Sequence, residues 1–546
     1  MNAAVTSVDA LRDATRSGSS LLSRVTGSTI FVLVVMLLVE SLFETWLLVL
    51  LADRSIGASG LPELVLPAWP RTIRNGAYIA LAIVTVLHIA QAGRVRRFMT
   101  PADAAFGALV IALVVAGLAG GSSLQLTFEG VFVYLRAAVL LYAIRALAPT
   151  WAMCRPILWV LGGIVVLNAI LAVLLAWIGP GGYQALGFVD MTWANLHRAQ
   201  ALQSHPNHLG HVAGLAMLGL LAWIATTGPT GIRWWLVFGL LATALALSQS
   251  RESLAGVVAG LAVIAILARG RRKALIGAFG LMVAVTLFAW TAQPENWAEL
   301  ARRLQGVIAA VEVPSGEEIG VSCDPVAQDC GIDGIPRREN RVLFYQQGLD
   351  LLLRNPVLGY GVGQFGGAVA SQHDPQWNRN PKFGPEGFDM HGLDAQQVDS
   401  FWLHLSVETG LVGSIAYLAW YASLLWPSIV ATRFGGRGRT TDTPDTESDP
   451  DGDAAETSHQ AASRREQDEV LGEVRQGPRV LVTTNLWAVA ALVFGAMSAV
   501  FSPALEDPLF APLLMAIVGL AWVMRTTPVP ATDADPAPAG AALAPT

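Results

Sequence analysis

The stretch ILWVLGGIVVLNAILAVLLAWI, Ile157 to Ile178, carries no charged side chain in 22 positions. At 1.5 Å of rise per residue, about 20 such residues cross the hydrocarbon core of a bilayer, where only a helix or a closed barrel satisfies the backbone. Eleven further apolar runs surround it: Ile30 to Leu51, Asn75 to Ala92, Ala104 to Gly120, Phe128 to Leu147, His208 to Thr226, Arg233 to Leu247, Ser253 to Ala268, Ala274 to Ala292, Leu411 to Ala431, Val480 to Phe501 and Pro508 to Val523. Their lengths are helical, so the expected fold is all-α, a polytopic membrane protein of about twelve transmembrane helices. Composition agrees. With 53% hydrophobic and 14% charged residues over 546 positions, and a mean hydropathy of +0.50, the chain has too little polar surface to clothe a soluble globule.

Between the ninth and tenth runs lies a polar segment, residues 293–400, expected as an extracytoplasmic loop domain. Short basic loops set the orientation. With the N-terminus in the cytoplasm, Arg94, Arg96 and Arg97, then Arg269, Arg271, Arg272 and Lys273, then Arg433, Arg437 and Arg439 all fall inside; Arg54, Arg71 and Arg74 dissent. The remaining divisions are a cytoplasmic tail at 1–29, transmembrane helices over 30–292, helix ten over 401–431, a disordered cytoplasmic insert over 432–479, helices eleven and twelve over 480–525, and a disordered tail over 526–546. Both termini are then cytoplasmic. A net charge of −6 spread over tails implies no nucleic-acid partner. Cys323 and Cys330 share the loop, where an oxidising compartment would allow pairing; two free thiols is the other reading.

Four polar motifs stand out. Ser248-Gln-Ser-Arg251-Glu-Ser253 ends one helix and begins the next, and its guanidinium suits phosphate oxygens beside a serine-capped helix N-terminus. Arg251 is otherwise an interfacial anchor. Asn340-Arg341 opens an amphipathic helix that stops at Asn355-Pro356 and runs into Gly359-Tyr-Gly-Val-Gly363-Gln-Phe365, which follows no strand and is no dinucleotide fingerprint. His391 to Gly413 includes Asp399, a candidate proton acceptor and a candidate N-cap for a helix beginning at Phe401, and Glu408, a buried hydrogen-bonding group or a helix contact. Arg198 to Gly210 holds His205 and His208, without the further ligands a metal site needs. Glu40, Glu44, Glu129, Arg136 and Arg145 are costly inside helices and must pair or line a groove.

In their order, His205-Pro-Asn207-His-Leu-Gly210, Ser248-Gln-Ser-Arg251, Arg341 with Pro356-Val-Leu-Gly359-Tyr-Gly361-Val-Gly363-Gln-Phe365, and Asp399-Ser-Phe-Trp-Leu403 with Glu408-Thr-Gly410-Leu-Val-Gly413 resemble the O-antigen ligase and polymerase superfamily, over about Arg198 to Leu425. The resemblance implies a GT-C-like, inverting, metal-independent glycosyltransferase in the bacterial cytoplasmic membrane, with no cofactor. Its donor would be a polyprenyl diphosphate-linked glycan and its acceptor a glycan, lipid or protein. By that resemblance Arg251 and Arg341 bind the donor diphosphate, and Asp399, standing where the ligases carry a histidine, is the acceptor-activating base. Arg198, His205, Asn207, Ser250, Arg338, Tyr345 and His391 are expected to bind substrate. Two other classes share part of the pattern: a peptidoglycan polymerase of the shape-and-division type, and a transporter of lipid-linked glycans, which would show two similar halves. No such halves are visible in the chain.

Overall fold

The computed structural model describes residues 2–56, 62–65, 67, 69–228, 231–291, 322–324, 329–331, 340–390, 398–434 and 458–526. Apart from a residue or two at the ends, each apolar run lies in a helix: α1 (Asn2–Leu51), α2 (Trp69–Gln91), α3 (Pro101–Ala119), α4 (Leu124–Leu147), α5 (Trp151–Ile178), α6 (Pro206–Thr227), α7 (Ile232–Ser248), α8 (Arg251–Leu267) and α9 (Arg272–Thr291). After the polar segment come α10 (Asn340–Arg354), α11 (Gly367–His373), α12 (Phe401–Phe434), α13 (Ser458–Phe501) and α14 (Phe510–Thr526). The protein is a polytopic helical membrane protein. Among the described residues nine helices are long and apolar enough to cross a membrane, and α7 and α14 are shorter apolar ones. With α8, whose first turn is polar, they account for the twelve runs.

Two antiparallel ribbons interrupt the helices, Asp53–Ile56 with Pro62–Val65 and Ser322–Asp324 with Asp329–Gly331. In the second, Cys323 stands opposite Cys330 along the backbone. Residues 435–457 of the insert, the tail after 526, Arg338, His391 and Asp394 lie outside the described residues; from Ser458 the backbone is helical and continuous with the last part of α13.

Small residues let the central helices approach. A Cβ on Gly214 or Gly256 would meet the Phe494 ring at 2.7 and 2.6 Å, and one on Gly260 would meet Leu218 at 2.8 Å, so α6, α8 and α13 close around Phe494 by the small-residue packing that lipid favours. By contrast α5 buries only Cys154, Asn168, Ala169, Ala172 and Leu175 and turns Trp177, 86% exposed, outward, as a helix at the lipid edge does.

The charges inside helices are paired. Arg74 sits between Glu40, at 3.7 Å, and Glu44, which accounts for one of the arginines at odds with the basic-loop count. Arg145 grips both oxygens of Asp103 at 2.6 and 3.0 Å, with its guanidinium 4.0 Å over Trp522. Glu129 meets His373 at 2.7 Å, and Arg136 donates to the Glu506 carbonyl.

One helix is broken on purpose. Within α12, Gly410 takes φ 61°, a left-handed conformation open to glycine, and the backbone ladder is interrupted there. The orphaned groups find partners in the Pro356 to Gly361 segment: Leu411 and Val412 N–H donate to the Pro356 and Val357 carbonyls at 2.8 and 3.2 Å, while Val407 and Glu408 carbonyls accept from Tyr360 and Gly361 N–H at 3.0 and 2.9 Å. The glycine-rich run and the Glu408-Thr-Gly410 motif thus form one interlocked unit.

Candidate active site

Helix ends that alternate crossing assigns to one side are hydrogen-bonded to one another. Between α3 and α4, Ser122 donates to the Val362 carbonyl at 2.9 Å, and Lys382 and Gln364 donate to the Gly120 carbonyl at 2.6 and 3.3 Å. Arg198 Nε donates to the Ser248 carbonyl at 3.2 Å, and Phe401 N–H to the Ser502 carbonyl at 3.1 Å. All four sequence motifs therefore belong to one end of the bundle.

At one corner of this end, His205 is the N-cap of α6: its Nδ1 accepts from Asn207 N–H at 3.0 Å, and Pro206 occupies the first turn. Burial, with His208, Arg198 and His211 nearby, pushes the His205 ring down to about 3, so it stays neutral and able to accept. Its cap role leaves the Asn207 side chain to accept from Arg198 Nη2 at 2.9 Å, and Arg198 stacks 5.0 Å from Trp193. Ser250 caps α8, and Gly210 is needed because a Cβ there would lie 2.7 Å from Ser253 Oγ. Arg251 stands exposed in the first turn of α8. Beneath, His211 Nε2 lies 3.4 Å from Glu252 Oε1, both side chains 2% exposed.

Next to Asn207, His208 Nε2 meets Asp507 Oδ2 at 2.6 Å and its Nδ1 meets Ser204 Oγ at 2.8 Å. Asp507 caps α14, with Oδ1 accepting from Leu509 and Phe510 N–H at 2.6 and 3.0 Å. Burial opposes its charge, but His208 and these two N–H groups outweigh burial and hold the carboxyl well below the usual range.

At the other corner, Arg341 Nε donates to Asp399 Oδ2 at 3.2 Å, with the side chains 33% and 48% exposed. The expected cap at Asp399 falls instead to Ser400, whose Oγ accepts from Leu403 N–H at 3.3 Å and shares a hydrogen bond of 2.6 Å with the Tyr345 hydroxyl. One turn along, His404 Nδ1 meets Glu506 Oε1 at 3.0 Å and its Nε2 lies 3.4 Å from Glu408 Oε1. Glu408, fully buried, also accepts from Phe365 N–H at 2.9 Å and from the Tyr134 hydroxyl at 3.0 Å. Tyr134, His404, Glu408 and Glu506 line a small pocket with Gly130, Gly363 and Gly366.

The 502–507 turn joins the two corners, bonding to Phe401, His404 and His208 through Ser502, Glu506 and Asp507. Sequence reading missed it: Glu506-Asp507-Pro508 between two apolar runs carries a helix-start signal, but nothing local says which side chains it meets. Ser204 and Tyr134 were missed for the same reason. Among the described residues no group of three His, Cys, Asp or Glu is placed to hold a metal ion.

An integral membrane protein with its four polar motifs gathered at one end of the bundle is the class this architecture defines. Residues 236–418, about one third of the chain, match the family model described as O-Antigen ligase, so this segment is similar to that family. The match runs from α7 through the break in α12, so it contains Arg251, Arg341, the Pro356 to Gly361 segment, Asp399 and Glu408. No curated protein matches the chain.

Proposed function

We propose that this protein transfers a glycan from a polyprenyl diphosphate-linked donor to an acceptor hydroxyl at the outer face of the cytoplasmic membrane. The observation that carries this reading is the Arg341–Asp399 pair, partly exposed, set within the O-antigen ligase segment and held in place through Ser400 and Tyr345. A lipid diphosphate is a competent leaving group once its charge is neutralised, and a guanidinium oriented by a carboxylate offers planar donors for that charge. Arg251 supplies a second guanidinium at the N-terminus of α8, where the helix dipole adds positive potential. Arg198 and Asn207, with Ser250 and His205 as the caps that shape their corner, complete the polar wall, and Arg338 and His391 belong to the same loop domain, 293–400. Attack by the hydroxyl opposite the leaving group inverts the anomeric centre, and no metal or nucleotide is required.

The test is reconstitution of the purified chain in proteoliposomes with a synthetic polyprenyl diphosphate oligosaccharide. Release of polyprenyl diphosphate together with lengthening or attachment of the glycan is the expected result. Donor left intact across acceptors, or carried across the bilayer unchanged, would refute the assignment and favour transport.

A further inference from the structure

Resting on the glycosyl-transfer reading above, we infer that His208, backed by Asp507, is a catalytic residue: the general base that takes the proton from the acceptor hydroxyl. Three geometric facts lead there. Asp507 Oδ1 already accepts two backbone N–H groups, so the carboxylate presents Oδ2 to His208 Nε2 at 2.6 Å, and Nε2 carries the ring proton. Nδ1 is then the basic nitrogen. It receives a hydroxyl, that of Ser204, at 2.8 Å, and Ser204 is exposed at the bundle end. A base, a hydroxyl at hydrogen-bond reach and a third group that fixes the base's tautomer are the parts by which proton-abstracting sites are recognised irrespective of fold.

The alternative carboxylate is differently engaged. Asp399 accepts from Arg341 Nε through its Oδ2, an arrangement that aims the guanidinium. His208 instead has its carboxylate on Nε2, which leaves Nδ1 on the side of the Ser204 hydroxyl. Placement agrees with the role: Asn207, the preceding residue, holds Arg198, and Arg251 starts the helix whose Ser250 and Ser253 press on Gly210.

In the reaction, the acceptor oxygen forms its bond to the anomeric carbon while the bond from that carbon to the diphosphate oxygen breaks. The hydroxyl proton passes to His208 Nδ1, and the electron pair of the broken bond leaves with the polyprenyl diphosphate. The imidazolium, stabilised by Asp507, later returns its proton to water. Ser204 occupies the position that the acceptor hydroxyl takes.

The experiment uses the full chain in nanodiscs, a synthetic polyprenyl diphosphate oligosaccharide as donor and donor-binding affinity measured separately with polyprenyl diphosphate alone. His208→Gln should lower kcat at least about 100-fold while leaving polyprenyl diphosphate affinity within about twofold. Added imidazole should restore part of the activity of His208→Ala, and Asp507→Asn should lower kcat and displace the acid limb of the pH–rate profile. The groups that act on His208 in that profile are Asp507, Glu252 and Glu44, with His205 beside it. If His208→Gln transfers at the parental rate, or if it loses polyprenyl diphosphate affinity in step with kcat and imidazole restores nothing to His208→Ala, His208 is not the base. A parental enzyme that binds polyprenyl diphosphate but transfers no glycan would instead overturn the transferase reading.

Discussion

At Asp399 the structure separates two roles that the sequence leaves superposed. Ser400 caps α12 and Asp399 holds Arg341, so the two positions are open to independent substitution. Asp399→Asn should leave the helix and the thermal midpoint unchanged while weakening donor use; Ser400→Ala should cost ~1 kcal/mol of stability through the lost cap and leave the Tyr345 hydroxyl on the Val500 carbonyl alone. Thermal unfolding and transfer rates on the two variants distinguish them, and an Asp399→Asn enzyme of parental rate would remove that carboxylate from the site. Arg251→Lys and Arg341→Lys should each lose most activity with insertion intact, because an ammonium cannot reproduce a planar fork. His205 adds a pH dependence. Its folded value of about 3 lies below the ordinary 6.5, so the unfolded chain binds the extra proton between them, and the stability it contributes is complete above 6.5 and declines toward 3. The melting temperature in detergent should fall between about pH 7 and about pH 5, and His205→Gln should flatten part of that slope.

At the scale of elements, the break in α12 explains why this chain carries its two glycine-bearing motifs together. A Cβ at Gly410 would collide with the Val357 carbonyl, and one at Gly359, φ 67°, with the Val407 carbonyl, so each glycine makes room for the other segment's backbone. Non-helical backbone inside a bundle survives only where its polar groups are satisfied by protein, as the four interlocking hydrogen bonds do here. Gly410→Ala combines a strained backbone with a steric clash and should destabilise by about 2 kcal/mol or more. A lowered melting temperature and a poor yield of folded protein in detergent are the expected signs, and a Gly410→Ala protein of unchanged stability would contradict the interlock.

For the molecule as a whole, polarity is segregated by end. The Arg145–Asp103 pair, with Arg97 contributing its carbonyl, and Arg525 on Ser428 and Asn485 lie at the basic end. The four motifs occupy the other. If the basic end is cytoplasmic, a cysteine introduced in the 293–400 loop should react with an impermeant reagent in intact cells; protection until lysis would invert the orientation and with it the outward-facing site.

Hydrophobic runs, helix count, the signals for caps at Ser250 and the stop at Asn355-Pro356 were legible in the chain because they depend on neighbours a few residues apart, and so was the family resemblance that Arg251, Arg341 and Gly410 carry by their order. Pairing was not legible. Which carboxylate meets which histidine depends on residues hundreds of positions apart, such as His208 with Asp507 or Tyr134 with Glu408, and a lone Glu506-Asp507 between apolar runs looks like an ordinary turn. Burial in a bundle makes unpaired charge costly, so each such group had to find a partner, but only the packing of twelve helices decided which.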